Sequence, residues 1–200
     1  MAGWHLHEGR AVALPLENID TDQLIPARFM ATPRSEGYGR YLLHDLRRDA
    51  AGALLAEMPL NVHPEASVLV ARRNFGSGSS REAAVYALVD FGIRAVIAPS
   101  FGDIFAGNAV NNGLLPLRLA PDRVVRIIAA LAGGAGDARI DLERGTLTVA
   151  GTRHDVALPP KARQKLLNGW DDIDLTHSHR PEIATFRNTR HTQNPWAWPA

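Results

Sequence analysis

Two periodicities alternate along the chain, and this alternation constrains the fold more than any other feature of the sequence. Short β-branched or aliphatic runs bounded by turn residues predict strands at residues 11–14, 67–71, 95–98, 114–119, 139–142 and 146–150. Longer helical patterns with start or stop signals predict helices at residues 41–56, 79–91, 101–111, 122–132 and 160–168. From residue 67 to residue 132 the strands and helices alternate, which is typical of βαβ units on a partly parallel sheet. We therefore predict an α/β fold.

The length of the chain favours one compact domain over residues 1–200, because 200 residues is close to the size of a single domain and no internal repeat is present. Residues 32–41 are rich in Pro, Gly and Arg and predict a loop. Residues 177–200 predict a peripheral helix and a tail. Trp196 and Trp198 in that tail are expected to dock on this domain or on a partner, because two exposed tryptophans would leave a large apolar surface in water.

The composition excludes several classes of function. A net charge of +1 argues against phosphate-driven nucleic-acid binding and against a polybasic membrane patch. With no cysteine, the chain has no disulfide, no thiolate nucleophile and no sulfur ligand for zinc or an iron–sulfur cluster. No apolar run approaches the ~20 residues that cross a bilayer, and the first ten residues lack the apolar character of a signal peptide. We expect a cytoplasmic protein without a nucleic-acid or membrane partner.

The most informative segment is residues 74–82, which join a predicted strand to a predicted helix and are called the serine loop below. Gly76 and Gly78 allow sharp turns and close approach of the backbone to a ligand, and the free N–H groups of a helix start favour an anion. The loop lacks the third glycine of the dinucleotide fingerprint and the Gly-Lys-Ser/Thr of a P-loop, which disfavours a nucleotide. Arg81 suits a carboxylate, because a guanidinium donates two parallel hydrogen bonds.

Ser79 has two interpretations that do not exclude each other. Ser79 and Glu82 have the spacing of a capping box, in which Ser79 is the N-cap of the following helix. Most serines at such positions are structural caps. A hydroxyl at the positive end of a helix and beside Arg81 is also where an alkoxide is least unfavourable. No Gly-x-Ser-x-Gly elbow is present, which weakens the case for a serine nucleophile.

Two further polar runs have structural explanations. Asp20 and Asp22 are two residues apart and suit a hard cation, although carboxylates that form Asx turns are commoner. Ser100 is predicted to cap the helix at residues 101–111, with Asp103 in its first turn.

Other polar groups are expected in solvent. The two His-x-His pairs, His5/His7 and His177/His179, lack a third ligand at zinc spacing. The acidic residues Asp171, Asp172 and Asp174 follow a predicted helix end and are expected to be solvated carboxylates.

Five segments, taken together and in their order, resemble the signature segments of the isopropylmalate dehydratase small-subunit family of the aconitase superfamily. They are residues 18–26, 74–82, 98–105, 112–116 and 166–173. The resemblance implies a swivelling β/β/α domain like the mobile last domain of aconitase. It also implies a heterodimeric hydro-lyase of leucine biosynthesis, in which a large subunit carries a [4Fe–4S] cluster and this chain binds no cofactor itself.

The resemblance further implies roles for residues of the serine loop. Ser79 matches the base that removes a proton next to a carboxylate of a small hydroxy-dicarboxylate, which is isopropylmalate in this family. Arg81 matches the ligand of a substrate carboxylate, and Asn74, Gly78 and Ser80 complete the implied substrate-binding set. No residue of this chain is expected to bind a metal.

The chain also departs from the family pattern. Ser77 stands where cysteine is usual, Ala83 where histidine is usual and Gly102 where alanine is usual, and both Trp170 and the short stretch between residues 48 and 59 are atypical. These departures keep two alternatives open. One is a related dehydratase for a methyl-substituted malate, maleate or a homocitrate-like acid, and the other is a non-catalytic anion-binding module on the same fold.

The substrate side chain is expected to meet an apolar lining next to the serine loop. The candidates for this lining are Leu24, Ile25, Phe29, Tyr41 and Leu42. A third substrate carboxylate would require a further arginine instead, and the candidates are Arg28, Arg34 and Arg40.

Overall fold

The computed structural model describes residues 2–198, in which seven strands form one mixed sheet in the order β4-β3-β2-β1-β5-β6-β7. The strands are β1 (Leu6–Leu14), β2 (Ala66–Ala71), β3 (Ala95–Ala98), β4 (Leu115–Arg118), β5 (Gly136–Asp141), β6 (Thr146–Val149) and β7 (Thr152–Asp155). The helices are α1 (Thr21–Leu24), α2 (His44–Arg47), α3 (Pro59–Val62), α4 (Glu82–Phe91), α5 (Asp103–Asn111), α6 (Pro121–Ala130), α7 (Pro160–Asn168), α8 (Asp172–His177) and α9 (Arg180–Gln193). Met1, Pro199 and Ala200, at the ends of the predicted domain and tail, lie outside the described residues.

One half of the sheet is parallel and the other half is antiparallel. Strands β1 to β4 run in the same direction, with Val12 paired to Leu69 and Leu69 paired to Val96. Strands β5, β6 and β7 continue the sheet from β1 as antiparallel neighbours. The carboxyl ends of β1, β2 and β3 therefore lie at the same edge of the sheet, which is where ligands bind in open α/β folds.

Strand β2 divides the interior into two cores because successive side chains of a strand point to opposite faces. Leu69 packs in the first core, on the face of the sheet that carries α4 and the aromatic ring of Phe75. Val68 and Val70 pack on the opposite face, where α6 and Leu166 of α7 cover the sheet. The predicted α/β class is confirmed, and the strong apolar character of β2 follows from its burial on both faces.

The predicted helix at residues 41–56 is wrong, because only the four residues of α2 are helical there. The carboxylate of Asp49 accepts hydrogen bonds from the backbone N–H groups of Ala51 and Ala53, both at 2.9 Å. Such local bonds offer the backbone an alternative to the helix. The other four helices predicted from periodicity exist, although α4 begins three residues later than predicted.

Strand β7 was missed because its sequence is polar and only His154 is buried. Pairing of Leu147 with His154 makes β7 the edge of the antiparallel half. A short polar strand is a common way to protect a sheet edge. Its pairing with β6 cannot be detected from apolar alternation alone.

Helix α9 and the tail lie on the surface, and every described residue of α9 is exposed. Phe186 is 68% exposed and Trp196 is 80% exposed. Trp196 therefore does not dock on the described part of this domain, and the prediction that it does so is wrong. No helix in the same range is long and apolar enough to cross a membrane.

Candidate active site

Three loops meet at the carboxyl ends of β1, β2 and β3. They are the aspartate loop (residues 18–23), the serine loop (residues 74–82) and the phenylalanine loop (residues 100–105). Isolated β-bridges link Asp20 to Ser77 and Phe75 to Phe101. Three of the five segments that carry the family resemblance thus come together at one edge of the sheet.

Backbone hydrogen bonds clamp the serine loop between its two neighbours. On one side the N–H of Gly76 donates to the carbonyl oxygen of Ile19 at 2.7 Å. On the other side the N–H of Phe75 donates to the carbonyl oxygen of Ser100 at 3.0 Å. These bonds join parts of the chain that are far apart in sequence, so the position of the loop depends on the sheet topology.

Two glycines allow the loops to approach this closely. Gly76 has a φ of +71°, and a Cβ atom there would lie 2.2 Å from Cγ of Phe105. A Cβ atom at Gly102 would lie 2.5 Å from the carbonyl oxygen of Gly76. The packing therefore explains the glycine at residue 102, where the family resemblance led us to expect alanine.

Ser79 is exposed and does not cap α4, so the predicted capping box is wrong. The N-cap residue is Arg81, and no side chain makes a capping hydrogen bond at that end. The carbonyl oxygen of Ser79 accepts hydrogen bonds from the Thr21 hydroxyl at 3.0 Å and from the N–H of Arg81 at 2.8 Å. These contacts hold Ser79 in a turn before the helix, and its hydroxyl has no hydrogen-bond partner among residues 2–198.

Arg81 is held by a carboxylate that sequence reasoning did not connect with it. Its Nη1 donates to Oδ1 of Asp22, and the Arg81 side chain is 22% exposed. The parallel pairing of β1 with β2 brings the aspartate and serine loops to the same edge, and no local pattern in the sequence indicates that pairing. Asp20, by contrast, caps α1 in a capping box with Gln23. The described residues contain no group of three or more His, Asp or Glu side chains that is arranged to hold a metal ion.

Asn74 lies at the start of the serine loop with a φ of +63°. Its backbone N–H donates to the hydroxyl of Ser100 at 2.8 Å, and its side-chain amide donates to Oδ1 of Asn18 at 2.9 Å. The prediction that Ser100 caps α5 is therefore wrong, since Gly102 is the N-cap and the Ser100 hydroxyl supports Asn74 instead. Gly78 has a φ of +89°, a conformation that side chains disfavour.

Gly78 and Ser80 are exposed beside Ser79, on the part of the serine loop that faces solvent. No protein group within residues 2–198 forms a hydrogen bond with the Ser80 hydroxyl. All five predicted site residues thus lie in one loop, and the structure leaves the hydroxyls of Ser79 and Ser80 available.

Two of the departures from the family pattern, Ser77 and Ala83, lie within the serine loop and directly after it. Ala83 is buried in the first core and offers no hydrogen-bonding group. Ser77 accepts a backbone hydrogen bond from Thr21 at 2.9 Å through its carbonyl oxygen. Glu82, the first residue of α4, accepts a hydrogen bond from the side chain of Asn112 at 2.7 Å instead of reaching back to Ser79.

The three candidate arginines for a third substrate carboxylate are each engaged by a carboxylate of the chain. Arg34 makes two hydrogen bonds to Asp90, of 2.6 and 2.8 Å, and Arg40 donates to Glu36 at 2.9 Å. Arg28 donates to both oxygens of Asp45. The hydrogen bond from Arg28, reinforced by one from His44, lowers the pKa of Asp45 to about 2.

The apolar lining is only partly as predicted. Leu24, Ile25 and Leu42 are fully buried in the first core and cannot line an open site, so this part of the prediction is wrong. Phe29 and Tyr41 are half-buried and their rings stack with centroids 4.3 Å apart. These two rings are the members of the predicted lining that keep an accessible surface.

Polar groups outside the loops have structural partners. His7 is half-buried and hydrogen-bonded to the Ser67 hydroxyl at 2.8 Å, so its predicted exposure is wrong. Burial, followed by the charge of Arg94, lowers the pKa of His7.

Asp171 caps α8, and Asp172 accepts hydrogen bonds from Lys165 and from Asn111. The acidic cluster at residues 171–174 is therefore more ordered than the solvated turn predicted for it.

Comparisons with known proteins agree in both sequence and fold. Residues 1–122 match the aconitase C-terminal domain. The chain is 44% identical over 189 residues to the 3-isopropylmalate dehydratase small subunit of Shewanella oneidensis, an alignment that covers 91% of this chain and 94% of that protein. It is 42% identical over 192 residues to the protein of the same name from Caulobacter vibrioides, with 94% and 95% of the two chains covered.

A solved structure has the same fold. The crystal structure of 3-isopropylmalate dehydratase (leuD) from Methanocaldococcus jannaschii superposes with a TM-score of 0.65 at 27% sequence identity. The superposition covers 90% of this chain and 98% of that chain. The mixed sheet and its loops therefore belong to an established architecture.

Proposed function

Because this chain belongs to the family of 3-isopropylmalate dehydratase small subunits, we propose that it supplies a serine base and a carboxylate-binding arginine to a shared active site. The other half of that site comes from a large subunit that carries a [4Fe–4S] cluster. The reaction is the interconversion of 2-isopropylmalate and 3-isopropylmalate in leucine biosynthesis, in the cytoplasm. Residues 1–200 act in it as one swivelling domain.

The cluster is assigned to the partner because clusters of this kind are held by cysteine thiolates and this chain has none. When bound, it supplies a Lewis acid for the departing hydroxyl group of the substrate. This chain contributes the groups that hold the substrate carboxylate and move a proton on carbon.

The proposal rests on the hydroxyl of Ser79, which is exposed and has no hydrogen-bond partner in the described part of the chain. It lies at the meeting point of three loops, beside Arg81 and just before the positive end of α4. A deprotonated Ser79 oxygen takes a proton from the carbon next to a substrate carboxylate as hydroxide leaves the neighbouring carbon, which yields an unsaturated dicarboxylate. A second proton, drawn from solvent, converts the hydroxide to water. Water then adds back with the hydroxyl group on the other carbon, and Ser79 returns the proton.

Arg81 binds a substrate carboxylate while Asp22 fixes its orientation. A guanidinium has five N–H donors, so it can donate to Asp22 and still present two donors to a ligand. Asn74, Gly78 and Ser80 complete the binding surface. The Ser80 hydroxyl and the backbone around Gly78 are exposed on the same loop, and Asn74 is placed by Ser100.

A dicarboxylate with an apolar substituent suits this site better than a tricarboxylate. Arg28 and Arg34 each donate through both Nη atoms to one carboxylate of the chain, whereas Arg81 uses a single Nη atom, so a third substrate carboxylate would have to displace Asp45 or Asp90. The half-buried rings of Phe29 and Tyr41 offer apolar contact to a branched group. The free Ser79 hydroxyl favours catalysis over a non-catalytic anion-binding module.

The test is the variant Ser79→Ala, measured in the complex assembled with the large subunit under anaerobic conditions. We expect kcat for isopropylmalate to fall by about 10²–10⁴-fold, the usual contribution of a general base. Because Ser79 makes no capping bond, the free energy of unfolding of the isolated chain should change by less than about 0.5 kcal/mol.

Ser80→Ala is the matched control, since it removes a neighbouring hydroxyl from the same loop and should have the milder effect. If Ser79→Ala retains near-normal exchange of solvent protons into the substrate, the base is another residue. A loss of about 1 kcal/mol in stability without a loss of activity would restore the capping interpretation.

A further inference from the structure

A cavity of about 470 Å³ lies between α5, β4 and the start of α7. None of the described residues of the aspartate, serine or phenylalanine loops lines it. Its volume falls within the range of roughly 300–1,000 Å³ that is typical of small-molecule sites. The cavity is therefore a separate feature from the candidate active site.

One wall of the cavity is apolar. Val110 of α5 and Leu115 of β4 line it and are buried, and Leu158 and Ala162 also line it. Water gains few hydrogen bonds against such a surface, so an apolar group that displaces it is favoured.

The rim of the cavity carries more positive than negative charge. Arg118, Lys161 and Lys165 line it, whereas Asp172 is the one carboxylate among its described lining residues. Arg118 lies 3.6 Å from Oδ1 of Asp103, too far for a direct hydrogen bond, and both side chains are exposed. Lys161 has no ion-pair partner within residues 2–198.

Lys165 is the buried member of this group. Its side chain is 9% exposed, and its ammonium donates to Oδ1 of Asn111 at 2.8 Å and to Asp172. The hydrogen bond from Lys165 and then that from Asn111 lower the pKa of Asp172, and the charge of Lys161 acts in the same direction. Asp172 thus neutralises Lys165. The charge of Lys161 remains for a ligand, and Arg118, whose exposed ion pair with Asp103 is 3.6 Å long and lacks a direct hydrogen bond, keeps its N–H donors for one.

We propose that this cavity binds a small organic carboxylate whose aliphatic or aromatic body packs on Val110 and Leu115. Its carboxylate faces Lys161 and Arg118. A neutral ligand would leave the charge of Lys161 and the free donors of Arg118 unused, and an inorganic anion would leave the apolar lining in water. This ligand class differs from the hydroxy-dicarboxylate proposed as substrate, so the inference stands independently of the proposed function.

The first experiment titrates the ¹⁵N-labelled full-length chain with hexanoate, with acetate and with hexan-1-ol, and follows the amide chemical shifts. We expect saturable shifts at Val110, Leu115 and Ala162 with hexanoate. Acetate and hexan-1-ol should bind at least about tenfold more weakly, because acetate lacks the apolar body and hexan-1-ol lacks the carboxylate. If hexanoate causes no saturable shift, or if hexan-1-ol binds as tightly as hexanoate, the proposal is wrong.

The charge is tested with the double variant Arg118→Met/Lys161→Met, which should weaken hexanoate binding by about tenfold. The matched control Arg187→Met/Arg190→Met removes two positive charges from the exposed helix α9 and should leave the affinity unchanged. Equal losses in both double variants would show only a general effect of net charge and would overturn the proposal.

The cavity itself is tested by filling it. Gly107 lines the cavity on α5, and a Cβ atom there would meet no atom within 4 Å. Gly107→Leu should abolish hexanoate binding, whereas Gly107→Ala should keep it. Both variants should unfold at a temperature no lower than wild type, because glycine is a poor helix former. Undiminished hexanoate binding by a folded Gly107→Leu chain would place the ligand elsewhere.

Discussion

Replacement of Gly76 by alanine tests how tightly the serine loop is held by its neighbours. Gly76 has a left-handed backbone with a φ of +71°, and this conformation costs a non-glycine residue about 1–2 kcal/mol. The new Cβ atom would also lie 2.2 Å from Cγ of Phe105, whose ring is buried, and overpacking of this kind costs typically about 1–3 kcal/mol. We expect a total loss of about 2–5 kcal/mol in the free energy of unfolding, a large part of the roughly 5–15 kcal/mol of a typical domain.

Urea unfolding of the isolated chain measures this loss. Phe105→Ala alone should cost about 3–5 kcal/mol, and the double variant Gly76→Ala/Phe105→Ala should cost less than the sum of the single changes, because the steric part is relieved. Gly107→Ala is the control, since it lies in a helix with open space and should be neutral or stabilising by up to about 1 kcal/mol. A cost below about 1 kcal/mol for Gly76→Ala, or strict additivity in the double variant, would refute the close packing of loop and ring.

Two further predictions concern the arginines of the chain. Arg81→Lys should strongly lower kcat/KM of the assembled enzyme although the charge is kept, because lysine cannot donate two parallel hydrogen bonds to a carboxylate. The control Arg40→Lys should be close to wild type in the same steady-state assay. Wild-type kinetics for Arg81→Lys would show that this residue does not bind the substrate carboxylate. In an NMR titration Asp45 should have a pKa of about 2, so its contribution to stability is complete above the unfolded value of about 3.9 and is lost as the pH falls through about 2. Arg28→Met should raise that pKa, and an unchanged value would show that the ion pair does not form in solution.

Much of the fold could be predicted from the sequence because its strongest signals are local. Strands β2 and β3 are short apolar runs that are buried on both faces, and α6 and α7 each begin with proline at a position that favours helix starts. The meeting of the serine and phenylalanine loops is consistent with the alternation at residues 67–132, which indicates that β2 and β3 are parallel neighbours, but that alternation does not reach β1 and the aspartate loop. Parallel strands end at the same edge, so the polar segments that follow them are brought together.

The errors in the candidate active site arose where contacts with distant residues outweigh local preferences. Ser79 and Glu82 have the spacing of a capping box, yet the Ser79 carbonyl is held by Thr21, 58 residues away, and Glu82 is bound by Asn112. The partner of Arg81 was missed for the same reason, since Asp22 reaches it only through the register of β1 with β2. A single sequence contains no direct signal for these contacts.

The failure of the capping prediction strengthens the proposed role of Ser79. A serine that capped α4 would accept an N–H hydrogen bond with its side-chain oxygen, which would reduce the capacity of that oxygen to accept a proton. In the structure the backbone of Ser79 carries the contacts that fix its position, and the side chain carries none within residues 2–198. Arg81 is fixed in turn by Asp22, so the aspartate loop holds both residues through separate bonds. The proposed base and the proposed carboxylate ligand are therefore held by one neighbouring loop, which fixes their spacing.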